Sequence, residues 1–169
     1  MENNLSLNIG VKGQLSLNAQ VVPLQEGYLK LGGFVAETQT NGLSFGVVAS
    51  ADPDTPDIFT AGLASGNAVR GVCVFDDAIA QNAPAHPNSY LAGFPCAVLN
   101  HGFMWLGSWT KTATGAIDPT LASVVIFNNT TGAIEFIPTG DDAPTGWTAL
   151  ENASVRTIDP DNGALIYLS

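Results

Sequence analysis

The chain has 169 residues and a formal net charge of −10, from 15 acidic and five basic residues; this sign repels phosphate backbones, so nucleic acid is not an expected partner. Hydrophobic residues make up 46% and charged residues 12%. The charged share is about half the usual ~25%, so much of the surface must be neutral.

The length fits one domain, or a domain with an arm. The opening "MENNLSLNIG" lacks the basic start and continuous apolar run of a leader, so cytoplasmic synthesis is expected. No run of about 18 apolar residues occurs, and no membrane partner is expected. Residues 1–33 hold Glu2 and Glu26 against Lys12 and Lys30, whereas residues 34–169 hold thirteen acids against Arg70, Lys111 and Arg156. All the net charge therefore belongs to the body.

In "LSLNIGVKGQLSLNAQVV", Leu5, Leu7, Ile9 and Val11 alternate with polar or small residues, and "LSLN" recurs at Leu15 and Leu17. Period-two alternation predicts two half-buried strands turning at Lys12-Gly13, or an extended arm that becomes a strand against a partner. The chain is accordingly divided into an N-terminal arm or hairpin, 1–26, and an acidic β-rich body, 27–169.

"YLKLGGFVAE" and "LSFGVVAS" are strand candidates. The Asp52, Asp54 and Asp57 loop that follows lacks the sixth-place Gly and terminal Glu of a calcium loop and reads as solvated. A strand is predicted at 69–75, then one short helical turn capped by Asp76 or Asp77. "FPCAVLNHGFMWLGSW" reads as a hairpin about "NHG", and "SVVIFNNTTGAIEFIP" as another about "NNTTG". "ENASVRTI", the turn "DPDNG" and "ALIYLS" complete the series. Strands recur about every ten residues and no helical period is sustained, which predicts an all-β fold, a single barrel or sandwich-like domain.

"TGAI" occurs at 114 and again at 131, with "NGALI" at 162 a looser version. The repeats read as turn punctuation, in which Gly takes a positive φ and Ala-Ile begins the next strand.

Candidate chemistry is sparse. His86 and His101 stand in loop-like contexts without a Cys or Asp at metal-ligand spacing, and Cys73 and Cys96 sit in apolar runs that suit buried free thiols. No nucleophile elbow, phosphate loop or paired Cys motif is present, so neither catalysis, metal nor cofactor is expected. Trp105 and Trp109, four residues apart, would share one face of a regular strand. One is expected in the core, and Trp109 is the candidate partner-binding aromatic. With Trp147 they could instead form a stacking platform, the basis of an alternative reading as a carbohydrate- or receptor-binding β-domain.

The stretches "LAGFPCAVLNHGFMWLGSW", "TGAIDPTLASVVIF", "NNTTGAIEFIPTG" and "ASVRTIDPDNGALIYLS" resemble, over about residues 90–169, the tailed-phage capsid decoration or structural cement proteins. The resemblance implies a non-enzymatic β-barrel-like virion protein on the capsid exterior, bound to the major capsid protein, with self-association as a homotrimer a further expectation. The alternating N-terminal residues Leu5, Leu7, Ile9, Leu15 and Leu17 are then candidates for adding a strand to a neighbouring sheet.

Overall fold

The computed structural model describes residues 20–21, 29–76, 79, 85–86 and 88–169. The expected turn at Lys12-Gly13, residues Leu5, Leu7, Ile9, Leu15 and Leu17, and the boundary at 26 lie outside the described residues.

Fourteen strands are described: β1 (Gln20–Val21), β2 (Leu29–Val35), β3 (Leu43–Ser44), β4 (Val48–Ala51), β5 (Ile58–Ala61), β6 (Ala68–Cys73), β7 (Ala85–His86), β8 (Ser89–Tyr90), β9 (Pro95–Leu106), β10 (Val124–Asn128), β11 (Ile134–Ile137), β12 (Trp147–Ala149), β13 (Ala153–Asp159) and β14 (Gly163–Leu168). The protein is all-β, as the strand rhythm predicts. Strands β9, β2, β5, β4 and β6 pair in that order, and β6 returns to β9, closing a five-stranded barrel. Only β2–β5 is parallel, with Phe34 opposite Ile58 and Val35 opposite Phe59. Closure leaves no free edge within the ring, so its backbone donors and acceptors find partners inside the fold.

The long β9 organises the rest. Its first part, up to His101, pairs with β2, while Gly102 to Leu106 pair with β14, which in turn pairs with β13. β1 lies on β9 too, with Gln20 opposite Trp105 and Val21 opposite Met104. The hairpin expected about "NHG" is therefore a single twelve-residue strand. At this point His101 is held by Leu29 and Gly102 by Leu168, so long-range pairing keeps the chain extended against a local turn signal. Gly102, at φ 126°, supplies the local departure from ordinary strand geometry where β9 passes from one set of partners to the other.

One core cluster runs through the molecule. It includes Val35, Phe59, Cys73 and Val98 from the barrel, Leu43 and Tyr90 from the small sheet β3-β8-β7, and Phe127, Phe136, Met104 and Ile166 from the later strands. Each large apolar side chain enclosed in this way stabilises the fold by about 1.5–3 kcal/mol. Tyr90 shows how the core keeps its polar atoms satisfied: its hydroxyl donates to the Val74 carbonyl at 3.0 Å and accepts from the Asp76 amide at 2.9 Å. Burial pushes the Cys73 thiol up, and the Cys96 thiol up to about 12. Both are buried free thiols, which agrees with the sequence reading.

Candidate functional site

The three-stranded sheet β11-β10-β12 is joined to the barrel by the "NNTTG" connector. Asn128 accepts from the amides of Thr130 and Thr131 through its side-chain oxygen, and its carbonyl accepts from Gly132, which sets the turn. The formed turn then enters the barrel wall. The Val48 amide donates to the Gly132 carbonyl and the Leu63 amide to the Asn129 carbonyl, both at 2.8 Å. Thr148 of β12 donates to the Asn129 side chain at 2.7 Å, so one residue bridges the turn, the barrel and the third strand.

Gly132 fits this position for two reasons. Its φ is 72°, and a Cβ there would lie 2.4 Å from the Val48 carbonyl oxygen. Gly115, in the earlier "TGAI", also has positive φ, and Ile117 after it bridges to Phe136 of β11. The punctuation reading is right about the positive φ of both glycines, but Ala-Ile leads into a strand only in the second copy, at β11; in the first, Ile117 makes an isolated bridge and the next strand starts at Val124. It misses the attachment: the second copy docks on the barrel, while the first ends a segment, 110–113, that covers the sheet's other face.

That cover is held by Glu135, a residue the sequence reading passed over. β11 is buried at all four positions. Ile134 and Phe136 belong to the main core, whereas Ile137 packs with Ala113 and Ile126 in a second, small cluster. Glu135 lies opposite Ile126 and is fully enclosed, at 0% exposure. Its carboxylate accepts from the Thr110 hydroxyl, from the Thr112 amide (2.9 Å) and hydroxyl (2.7 Å), and from the Ala113 amide (2.8 Å). Burial pushes the carboxyl up, but the bonds from Thr110, Ala113 and Thr112 outweigh it and hold the group below the usual carboxylate range. An acid flanked by apolar residues in "GAIEFIP" is the signal that could have found it, because such a residue must be paired if the strand is buried on both faces.

The aromatic candidates are dispersed. Trp105, in β9, is 8% exposed with its Nε1 buried and unpaired. Trp109 lies beyond the end of β9, not on the same strand face. It is half-buried against the main core, edge-on to Phe136 at a centroid distance of 5.8 Å, and its Nε1 donates to Asp118 at 3.3 Å. Trp147 packs against the small second cluster. The three do not combine into one open stacking surface. Within β9, Phe103 and His101 contact Tyr167 of β14, and the Arg156 guanidinium lies 4.9 Å from the Tyr167 ring centre.

Chemically these arrangements fasten segments together. Among the described residues no group of three or more His, Cys, Asp or Glu side chains could hold a metal ion. An open cleft of about 440 Å³ adjoins the docked turn, and its lining, which includes Gln39, Thr60, Asn129 and Thr130, carries no ionisable group. Asp76, one of the paired acids of the sequence, is tied to Lys30, while Asp141 and Asp142 are exposed in a turn.

A family model described as "Structural cement protein (E217 gp24/Pam3 gp6)" matches residues 2–169. No curated protein matches the chain.

Proposed function

The chain belongs to the phage structural cement proteins, and from that premise we propose that it binds the outer surface of an assembled phage head and strengthens contacts between neighbouring capsomers, without catalysis. The observation that carries this reading is the family match over residues 2–169, far beyond the segment from 90 onward on which the sequence resemblance rests. The fold supports it. A closed barrel with a second sheet fastened to its wall is a stiff body, and stiffness is what a clamp between subunits requires.

The partner in this reading is the major capsid protein, and the chain acts as a homotrimer at three-fold positions of the shell. Residues 1–26 serve as the linking element. Leu5, Leu7, Ile9, Leu15 and Leu17 supply the alternation of an added strand, whose main-chain hydrogen bonds give affinity and whose side chains give register. β1 supports this assignment, because it already lies along β9. Trp109 serves as an anchor through the part of its ring that remains accessible.

The test mixes the purified full-length chain with undecorated heads and scores occupancy by microscopy and survival of the particles on heating. Binding with raised heat resistance is expected, and a chain lacking residues 1–26 should decorate poorly. Equal decoration and protection by the shortened chain would remove the arm from the mechanism. Absence of binding by the full chain would remove the proposed function.

A further inference from the structure

An apolar patch stands on one rim of the barrel. Val35 and Phe59, opposite each other on β2 and β5, are each 1% exposed and belong to the core. The preceding pair points the other way: Phe34 is 48% exposed and its partner Ile58 40%. Across β9, Phe34 is opposite the exposed Pro95, and residues directly opposite on paired strands present their side chains on the same face. Phe94 is 39% exposed, and its carbonyl accepts from the Val35 amide at 3.0 Å. Phe34, Ile58 and Pro95 thus share one face, with exposed Phe94, next to Pro95 and opposite Val35, at its edge. A contiguous patch of this kind marks an interaction surface, whereas single exposed apolar residues do not.

Its border is acidic. The Phe34 amide donates to the Asp57 carbonyl at 2.8 Å, which holds the exposed 52–57 connector, with Asp52, Asp54 and Asp57, beside the patch. On the other side exposed Glu37 lies against the turn before Phe94, with its Cγ 3.8 Å from the Cβ position of Gly93. The ion pairs of the described residues that involve Lys30 and Lys111 use Asp76 and Asp118, not these four acids.

We propose that Phe34, Ile58, Phe94 and Pro95, bordered by Asp52, Asp54, Asp57 and Glu37, form the surface that docks on the capsid shell. The occupant is a protein surface with an apolar recess edged by Lys and Arg side chains. This rests on the capsid-binding reading above and adds which face docks and what it meets. Charge selects the occupant. A second copy of this chain brings 15 acids and only five bases, and two of those bases are already paired within it. Two such rims together would set carboxylate against carboxylate, which disfavours self-association through this face. A basic-edged recess instead buries the aromatic and aliphatic anchors at the centre, while the acidic border steers approach.

The experiment measures binding of the full-length chain to undecorated heads over a range of salt concentrations. Phe34→Ser combined with Ile58→Ser should weaken binding by about tenfold or more, with thermal melting of the free chain confirming that it folds. If the double variant fails to fold, Ile58→Lys alone, at an exposed site on the strand surface, provides the same comparison. Leu121→Ser, at a 68% exposed residue in the 119–123 turn, should bind like the unmodified chain. Replacing Asp52, Asp54 and Asp57 together by Asn should slow association and flatten its salt dependence. If the unmodified chain binds heads and the folded rim variants bind equally well, the inference is overturned while the capsid-binding reading stands. If the unmodified chain does not bind, that reading itself falls. An unchanged salt profile in the Asn variant would overturn the basic-edged occupant, and a changed oligomeric state with undiminished head affinity would assign the rim to contacts between copies.

Discussion

The barrel and the β11-β10-β12 sheet are held by different means. The barrel closes through strand ladders, β6 returning to β9 through Val72 opposite Leu99 and Cys73 opposite Val98. Any one contact is a small part of that ring. The three-stranded sheet shares the main core through Phe127, Ile134 and Phe136, but its polar fastenings are concentrated at two points: the Gly132 turn on its barrel side and the Glu135 carboxylate on its outer side. Distributed pairing tolerates single substitutions, whereas a point attachment concentrates the cost of losing it. Substitutions at the attachments should therefore destabilise the molecule out of proportion to their size.

Gly132→Ala is expected to have the largest effect. The added Cβ meets the Val48 carbonyl, and alanine disfavours the positive φ, so a loss of about 4 kcal/mol is expected from backbone strain and overpacking together. Urea unfolding measures it. Gly115→Ala is the matched substitution, because Gly115 has similar φ but no atom within 4 Å of an added Cβ. It should cost only about 1–2 kcal/mol, the conformational part alone. Equal losses at the two glycines would show that docking on the barrel wall adds nothing.

The contrast between those glycines also shows what a sequence can reveal. Turn positions were legible, since "NNTTG" and "DPDNG" each join adjacent strands, β10 to β11 and β13 to β14, and local turn chemistry governs such hairpins. Barrel closure was not legible. The parallel β2–β5 pair and the β6–β9 pair join strands distant in sequence, and no periodicity encodes which strands meet. "NHG" misled for the same reason, because the partners of His101 and Gly102 come from Leu29 and Leu168. Of the candidate site, Trp109 was identified as a residue, but its shared face with Trp105 required a regular strand to continue, and β9 ends at Leu106. Phe34 and Phe94 were read within strand-like runs, whereas Ile58 fell in the loop stretch after Asp57 and its strand β5 was missed; only the β2–β5 pairing shows that Phe34 and Ile58 share a rim.

Glu135→Ala should cost about 3 kcal/mol at neutral pH, because it leaves the donors of Thr110, Thr112 and Ala113 without their charged acceptor. Glu135→Gln, which keeps the shape, separates charge from packing. The folded carboxyl titrates below its ordinary 4.5, so its stabilisation is complete above the unfolded value and is lost as pH falls through the folded one. The stability gap between the unmodified chain and Glu135→Gln should therefore hold steady from pH 7 to about 5 and narrow below pH 4.5. A gap that widened on acidification would contradict this sign.

Trp109→Ala removes a half-buried ring and its edge-on contact with Phe136, and should cost about 2 kcal/mol. Trp109→Phe should restore most of this, since the apolar contact survives and only the bond to Asp118 goes. Thermal melting of both variants gives the comparison. A Phe variant no better than Ala would shift the weight of the interaction onto Asp118.

Lys111→Ala should have the smallest effect. Lys111 and Asp118 pair at 3.0 Å with half or more of each side chain exposed, in a setting where screening leaves an ion pair little to contribute. The bond from Lys111, followed by that from Trp109, holds the Asp118 carboxyl below its ordinary 3.8. Removing Lys111 should thus move the Asp118 titration upward, as read by nuclear magnetic resonance, while the unfolding midpoint stays unchanged. A marked fall in that midpoint would make this exposed pair a third fastening point of the cover segment and weaken the division between distributed and concentrated attachment.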